Sequence, residues 1–145
     1  MKRLFGIIIL LAVFLTSCAH TVDTSGESYS DHSGVYLEIL SVEKDGKDSI
    51  LNVRWHNNTS SELTYYAYYD MEYKRGSEWV DITAADVSFI EIAYSVAPNS
   101  HSDKTYTTAW FDTSRVGTYR LKSYYHLHRG DEVLHGDVWI EFKIS

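Results

Sequence analysis

The sequence predicts an all-β, antiparallel sandwich or barrel of about seven strands, with no internal disulfide. Three observations carry this. Twelve Tyr, four Trp and five Phe stand in a chain with one Pro and eight Gly, a composition that favours strands over helices. No segment beyond residue 18 shows a sustained apolar stripe at helical spacing; runs of period two appear instead, separated by turn residues. The only cysteine is Cys18, so no disulfide can close within the chain.

The strands follow in order. Val35, Leu37 and Ile39 alternate up to a turn at Lys44-Asp45-Gly46-Lys47. Leu51, Val53 and Trp55 alternate next and close at His56-Asn57-Asn58-Thr59, which reads as a turn although it also fits the glycosylation sequon. Tyr65, Ala67, Tyr69, Met71 and Tyr73 share one face as far as Arg75-Gly76-Ser77, and Trp79, Val80 and Ile82 begin the return. Residues 89–96 and 106–110 supply further runs, and 118–128 and 133–144 the last two.

The final pair fixes its own register. With Gly130-Asp131 as a two-residue turn, Arg120 falls opposite Glu141, Lys122 opposite Trp139, Tyr124 opposite Asp137, and His126 opposite His135. On the other face Tyr119, Leu121, Tyr125 and Leu127 meet Phe142, Ile140, Gly136 and Leu134. This register predicts an Arg120–Glu141 salt bridge, a Lys122–Trp139 cation–π pair and an apolar inner face together. The tripeptide Arg129-Gly130-Asp131, which integrins recognise, falls at the tip and reads as turn chemistry.

Val116-Gly117-Thr118-Tyr119-Arg120-Leu121 resembles the entry to strand F of immunoglobulin-like sandwiches, where a Tyr hydroxyl bonds back to the backbone at the sheet corner. The resemblance implies that Leu121 stands where that fold carries its second disulfide Cys, with Val53 in the partner's place. With Asn57, Met71-Glu72, Gly76, Trp79 and Trp110, residues 35–144 look like the bacterial immunoglobulin-like domains carried singly by small lipoproteins. The resemblance implies an immunoglobulin-like antiparallel β-sandwich over 34–145 that serves as a surface module without a shared activity.

The N-terminus reads as an export signal. Lys2 and Arg3 precede an uninterrupted apolar run at residues 4–15, too short for the roughly 20 residues a spanning helix needs. Leu15-Thr16-Ser17-Cys18 resembles the lipobox of bacterial lipoprotein precursors, which implies cleavage before Cys18 and acylation (diacylglycerol and palmitate-type chains) of its thiol. Residues 1–17 are thus expected to be a signal peptide, and 18–33 an acylated Cys with a flexible polar tether. Localisation is expected at the extracytoplasmic side of the cell membrane, or at the outer membrane where one exists. Removing residues 1–17 takes away only Lys2 and Arg3, which leaves 11 basic against 20 acidic residues, a formal charge of −9. That charge argues against nucleic acid and against electrostatic docking to anionic lipid.

Candidate sites lie on the outward faces. Tyr66 and Tyr68 have opposite parity to the Tyr65–Tyr73 face and point outward, as do Tyr124 and Trp139; exposed aromatics of this kind stack on sugar rings or anchor protein partners. His126 and His135 would face each other with His128 two residues along and Asp137 on the same face, a possible pair of zinc ligands without an evident fourth. No nucleophile elbow, Gly-rich phosphate loop or HExxH is present, so neither catalysis nor a cofactor beyond the acyl group is expected. The expected function is a membrane-anchored, non-catalytic binding or assembly module for envelope or host proteins. The alternatives are a glycan or small-ligand binder using the outward Tyr and Trp residues, and a metal-binding periplasmic lipoprotein.

Overall fold

The computed structural model describes residues 22–84 and 86–145, so Cys18 and the signal peptide expected over 1–17 lie outside the described residues. Eleven strands occur among them: β1 (Val22–Asp23), β2 (Ser28–Ser30), β3 (Val35–Asp45), β4 (Asp48–Asn57), β5 (Glu62–Tyr66), β6 (Asp70–Arg75), β7 (Glu78–Asp81), β8 (Ala93–Val96), β9 (Ser100–Thr107), β10 (Gly117–Arg129) and β11 (Glu132–Ile144). They form two antiparallel sheets. The larger runs β1-β11-β10-β5-β8, with β2 also on β11, β6 on β10 and β7 on β6; the smaller runs β3-β4-β9. Their inner faces meet in one apolar cluster, from Leu37, Leu51, Val53 and Trp55 on the smaller sheet to Tyr65, Met71, Tyr119, Leu121 and Phe142 on the larger.

The β10/β11 hairpin pairs without a slip from Gly117↔Ile144 to Arg129↔Glu132, the register that a Gly130-Asp131 turn requires. Gly130 has φ of 60° and Asp131 is not in the left-handed region, the type II′ pattern that demands Gly at the first loop position. The charged pairs differ from expectation. Arg120 does not reach Glu141; its guanidinium bonds Glu72 of β6, which lies directly opposite it on the other side of β10. The same group sits 4.3 Å over Trp79 and 5.3 Å from Trp139, so Arg120 and not Lys122 makes the cation–π contact. The planar guanidinium can stack between two indoles while holding a carboxylate, whereas the Lys122 ammonium is left 3.8 Å from Glu72.

Tyr119 is fully buried and its hydroxyl donates to the Arg115 carbonyl, the corner bond the resemblance implied. Leu121 and Val53 are both fully buried, so apolar packing occupies the place of the disulfide. Trp55 stacks on Tyr65 at 4.3 Å and donates its indole N–H to Tyr106 Oη at 2.9 Å, which satisfies the polar atom of the largest core residue.

Four other expectations are corrected. The stretch read as a tether over 18–33 is, from Val22 onward, docked against β11 through β1 and β2. Backbone pairing and hydroxyls carry this, not apolar periodicity: Tyr125 Oη lies 2.7 Å from Ser30 Oγ and accepts from the His32 amide at 3.0 Å. The run from Tyr65 to Tyr73 breaks between β5 and β6, although Tyr69 within the break remains buried. Of 89–96 only Ala93–Val96 is strand, because residues 86–92 run outside the sheet as an irregular strap that places Phe89 among aromatic rings. The strand expected at 106–110 runs over Ser100–Thr107 instead; it is an edge strand with a solvated outer face, which hides its period-two signal.

Candidate aromatic binding site

The outward face of the larger sheet is built by alternation. On β10, Ser123 and Tyr125 point into the core, so Tyr124 between them points out. Tyr66 ends β5, and Tyr68 stands in the break before β6; the Ala67 amide donates to the Ile92 carbonyl at 2.9 Å and so ties the break to the strap. Tyr66, Tyr68 and Tyr124 together with Val87, Phe89, Ile90 and Glu91 of the strap line a cleft of about 320 Å³. Tyr68 and Tyr124 stack with ring centroids 5.9 Å apart and planes at 23°. Phe89 closes one end, edge-on to Tyr68 at 5.1 Å.

A single carboxylate organises the pair. Tyr68 Oη donates to Asp70 Oδ1 at 2.6 Å and Tyr124 Oη to Asp70 Oδ2 at 3.2 Å. Donation to Asp70, followed by burial, pushes the Tyr68 phenol well above its ordinary range. Tyr124 is raised chiefly by burial and then by the Asp70 charge. Both phenols therefore stay protonated donors at neutral pH, and both rings remain partly open to solvent, 41% for Tyr68 and 37% for Tyr124. No sequence motif marks Asp70 as a site residue. Its signal was the spacing: it stands two residues after Tyr68 and in the same outward register.

The histidines flank this cleft. Tyr66 Oη lies 3.1 Å from His126 Nδ1, and His128 Nε2 lies 3.1 Å from Thr64 Oγ1. His126 meets His135 edge to face at 4.4 Å. Burial, then the neighbouring His135 and His128, lowers the His126 pKa and favours its neutral form. Among the described residues no group of three or more His, Cys, Asp or Glu is placed to hold a metal ion. The pair faces each other as the register required, but one nitrogen of His126 and one of His128 already have side-chain partners.

Trp139 belongs to a different assembly. It is half-buried beneath Tyr29 of β2, with centroids 5.5 Å apart, and continues through Arg120 and Trp79 to Lys74, whose ammonium lies 5.5 Å from the Trp79 centroid. This ladder crosses β2, β11, β10, β7 and β6 and fastens strands together. Of the four outward aromatics, three line the cleft and Trp139 does not. Asn57 is fully buried, its amide donating to the carbonyls of Ser61, Val96 and Ala97, so it is a structural pin and not a glycan acceptor. Arg129 and Asp131 are exposed at the hairpin tip.

Two antiparallel sheets around a single core, a corner tyrosine, and apolar residues in place of the disulfide define an immunoglobulin-like module. The bacterial Ig-like domain matches this chain over residues 31–135, and the chain belongs to that family. No curated protein matches it.

Proposed function

We propose that this protein is a lipid-anchored, extracytoplasmic, non-catalytic binding module whose ligand face is the tyrosine cleft beside the strap. The observation that carries this is the stacked Tyr68–Tyr124 pair, held by Asp70 and left open to solvent at the mouth of a cleft of about 320 Å³. Aromatic rings that are prepositioned and partly exposed lose little entropy on binding, and they dominate recognition surfaces for that reason. The anchor rests on Leu15-Thr16-Ser17-Cys18 after a short apolar run, and the strong acidity of the chain after residue 17 argues for attachment through acyl chains and not through basic residues.

The class of partner is an envelope or host protein. A glycan is the second reading, favoured by one observation: Asp70 sets carboxylate acceptors beside stacked rings, and sugars are recognised by that pairing of an aromatic platform with an acceptor. The test presents the full chain, in phosphatidylcholine nanodiscs, to envelope protein fractions and to a glycan panel, with a folded Tyr68→Ala/Tyr124→Ala variant alongside. The proposal expects one saturable partner that the variant loses. A partner kept by the variant would move the site away from the cleft, and no partner would remove the binding role. Cys18→Ala is expected to abolish incorporation of labelled palmitate; retained incorporation would contradict the anchor.

A further inference from the structure

Behind Phe89, on the side away from the tyrosine cleft, a second cavity of about 600 Å³ opens between the edges of the two sheets. Its walls are largely apolar and aromatic, including Ile50, Tyr69, Ile92, Tyr106 and Trp110. Among the described residues one cation reaches it. Lys104 of β9 is in register with Val53 of β4, whose side chain is fully buried; directly opposed residues share a face, so the Lys104 stem points into the sandwich. Its ammonium donates to Tyr94 Oη at 2.8 Å and lies 4.1 Å from that ring's centroid.

The charge balance at this point is unusual. The chain carries 20 acidic residues, yet Lys104 makes no ion pair among the described residues. Asp45, the one carboxylate on the cavity wall among the described residues, makes none with it. A half-buried ammonium satisfied by a phenol and an aromatic face is partly desolvated without a counter-ion, an arrangement that favours an incoming anion. The volume falls within the roughly 300–1,000 Å³ of small-molecule sites, which are apolar with a few placed polar groups.

We propose that this cavity binds a small amphipathic organic anion, its apolar body among Ile92, Tyr106 and Trp110 and its carboxylate on Lys104. The site lies beside the tyrosine cleft, and Phe89 and Ile90 line both. The competing role for Lys104 is defensive: an inward-pointing charge on an edge strand discourages pairing with another sheet, and this needs no ligand.

The experiment titrates the full chain in phosphatidylcholine nanodiscs with phenylbutyrate and with its neutral amide, reading tryptophan fluorescence against empty discs. Saturable binding of the carboxylate is expected, weakened by about tenfold or more for the amide and for Lys104→Met, since both remove a charge-assisted hydrogen bond. Ile92→Trp, which keeps Lys104 and fills the cavity, is expected to abolish binding and stands in should Lys104→Met aggregate. Tyr124→Ala, which leaves the Tyr68–Phe89 contact in place, is expected to bind the anion normally, so failure of the tyrosine cleft as a partner site would leave this result untouched. Equal binding of acid and amide, unchanged binding by Lys104→Met or Ile92→Trp, or no saturable binding of phenylbutyrate would overturn the proposal and leave Lys104 its defensive role.

Discussion

Asn57 holds the corner after β4 with one side chain. Its amide donates to Ser61 O at 2.8 Å and to Val96 O and Ala97 O at 3.1 Å, while its Oδ1 accepts from Thr59 Oγ1 at 2.7 Å. Asn57→Ala would take a donor away from three carbonyls, of which Ser61 O keeps one from Thr59 Oγ1, and a loss of about 2–4 kcal/mol is expected in denaturant unfolding. Asp70 makes a second prediction at this scale. Because its hydrogen bond is the largest cause of the raised Tyr68 phenol, Asp70→Asn should bring the pKa of Tyr68 down more than that of Tyr124, where burial comes first. Carbon NMR of ring-labelled tyrosines through an alkaline titration measures both. At single residues the sequence was legible where period two decides direction, as for Tyr66, Tyr68 and Tyr124. It was silent where a polar side chain acts across the fold: nothing near Asn57 announces Val96, and nothing near Arg120 announces Trp79.

The last hairpin was readable in its backbone register, because a two-residue turn admits one register and a slip would turn every side chain to the wrong face, but not in its charged pairs, which Glu72 and Trp79 of other strands redirect. The first strands were not readable. Residues 28–32 carry no apolar alternation, and they are held by the hydroxyl of Tyr125, which lies near Ser30 Oγ (2.7 Å), the His32 amide (3.0 Å) and His32 Nδ1 (2.9 Å). Tyr125→Phe is therefore expected to cost about 1–2 kcal/mol and to speed amide exchange at Tyr29, Ser30 and His32, with the β10/β11 amides unchanged. Equal acceleration throughout would show that β2 is not a separate unit. The strap misled for the opposite reason. Val87, Phe89, Ile90 and Ile92 are as apolar as a core strand, yet Ile90 is 76% exposed, and hydrophobicity alone does not say whether a sheet edge is free to receive a segment.

Across the molecule, tyrosines act as core residues that must stay protonated. Burial is the leading cause of raised pKa values at Tyr65, Tyr69, Tyr106, Tyr119 and Tyr125, and it takes Tyr69 up to about 12. In the unfolded chain these phenols ionise near the ordinary value of 10.0, so above that pH the unfolded state holds fewer protons than the folded one. Stability is expected to be complete below about pH 10 and to fall as pH rises toward 12, read as a falling denaturant midpoint. A flat midpoint across that range would contradict the protonated aromatic core.

Whether the tyrosine cleft is where this module meets its partner is decided by photo-crosslinking in living cells. A photoreactive phenylalanine derivative replaces Tyr124 in the cleft in one strain, and the exposed Thr105, on the edge strand of the smaller sheet, in another. One discrete adduct is expected from position 124 and none from 105. An adduct from 105 alone, or none from 124, would contradict the cleft as that meeting place.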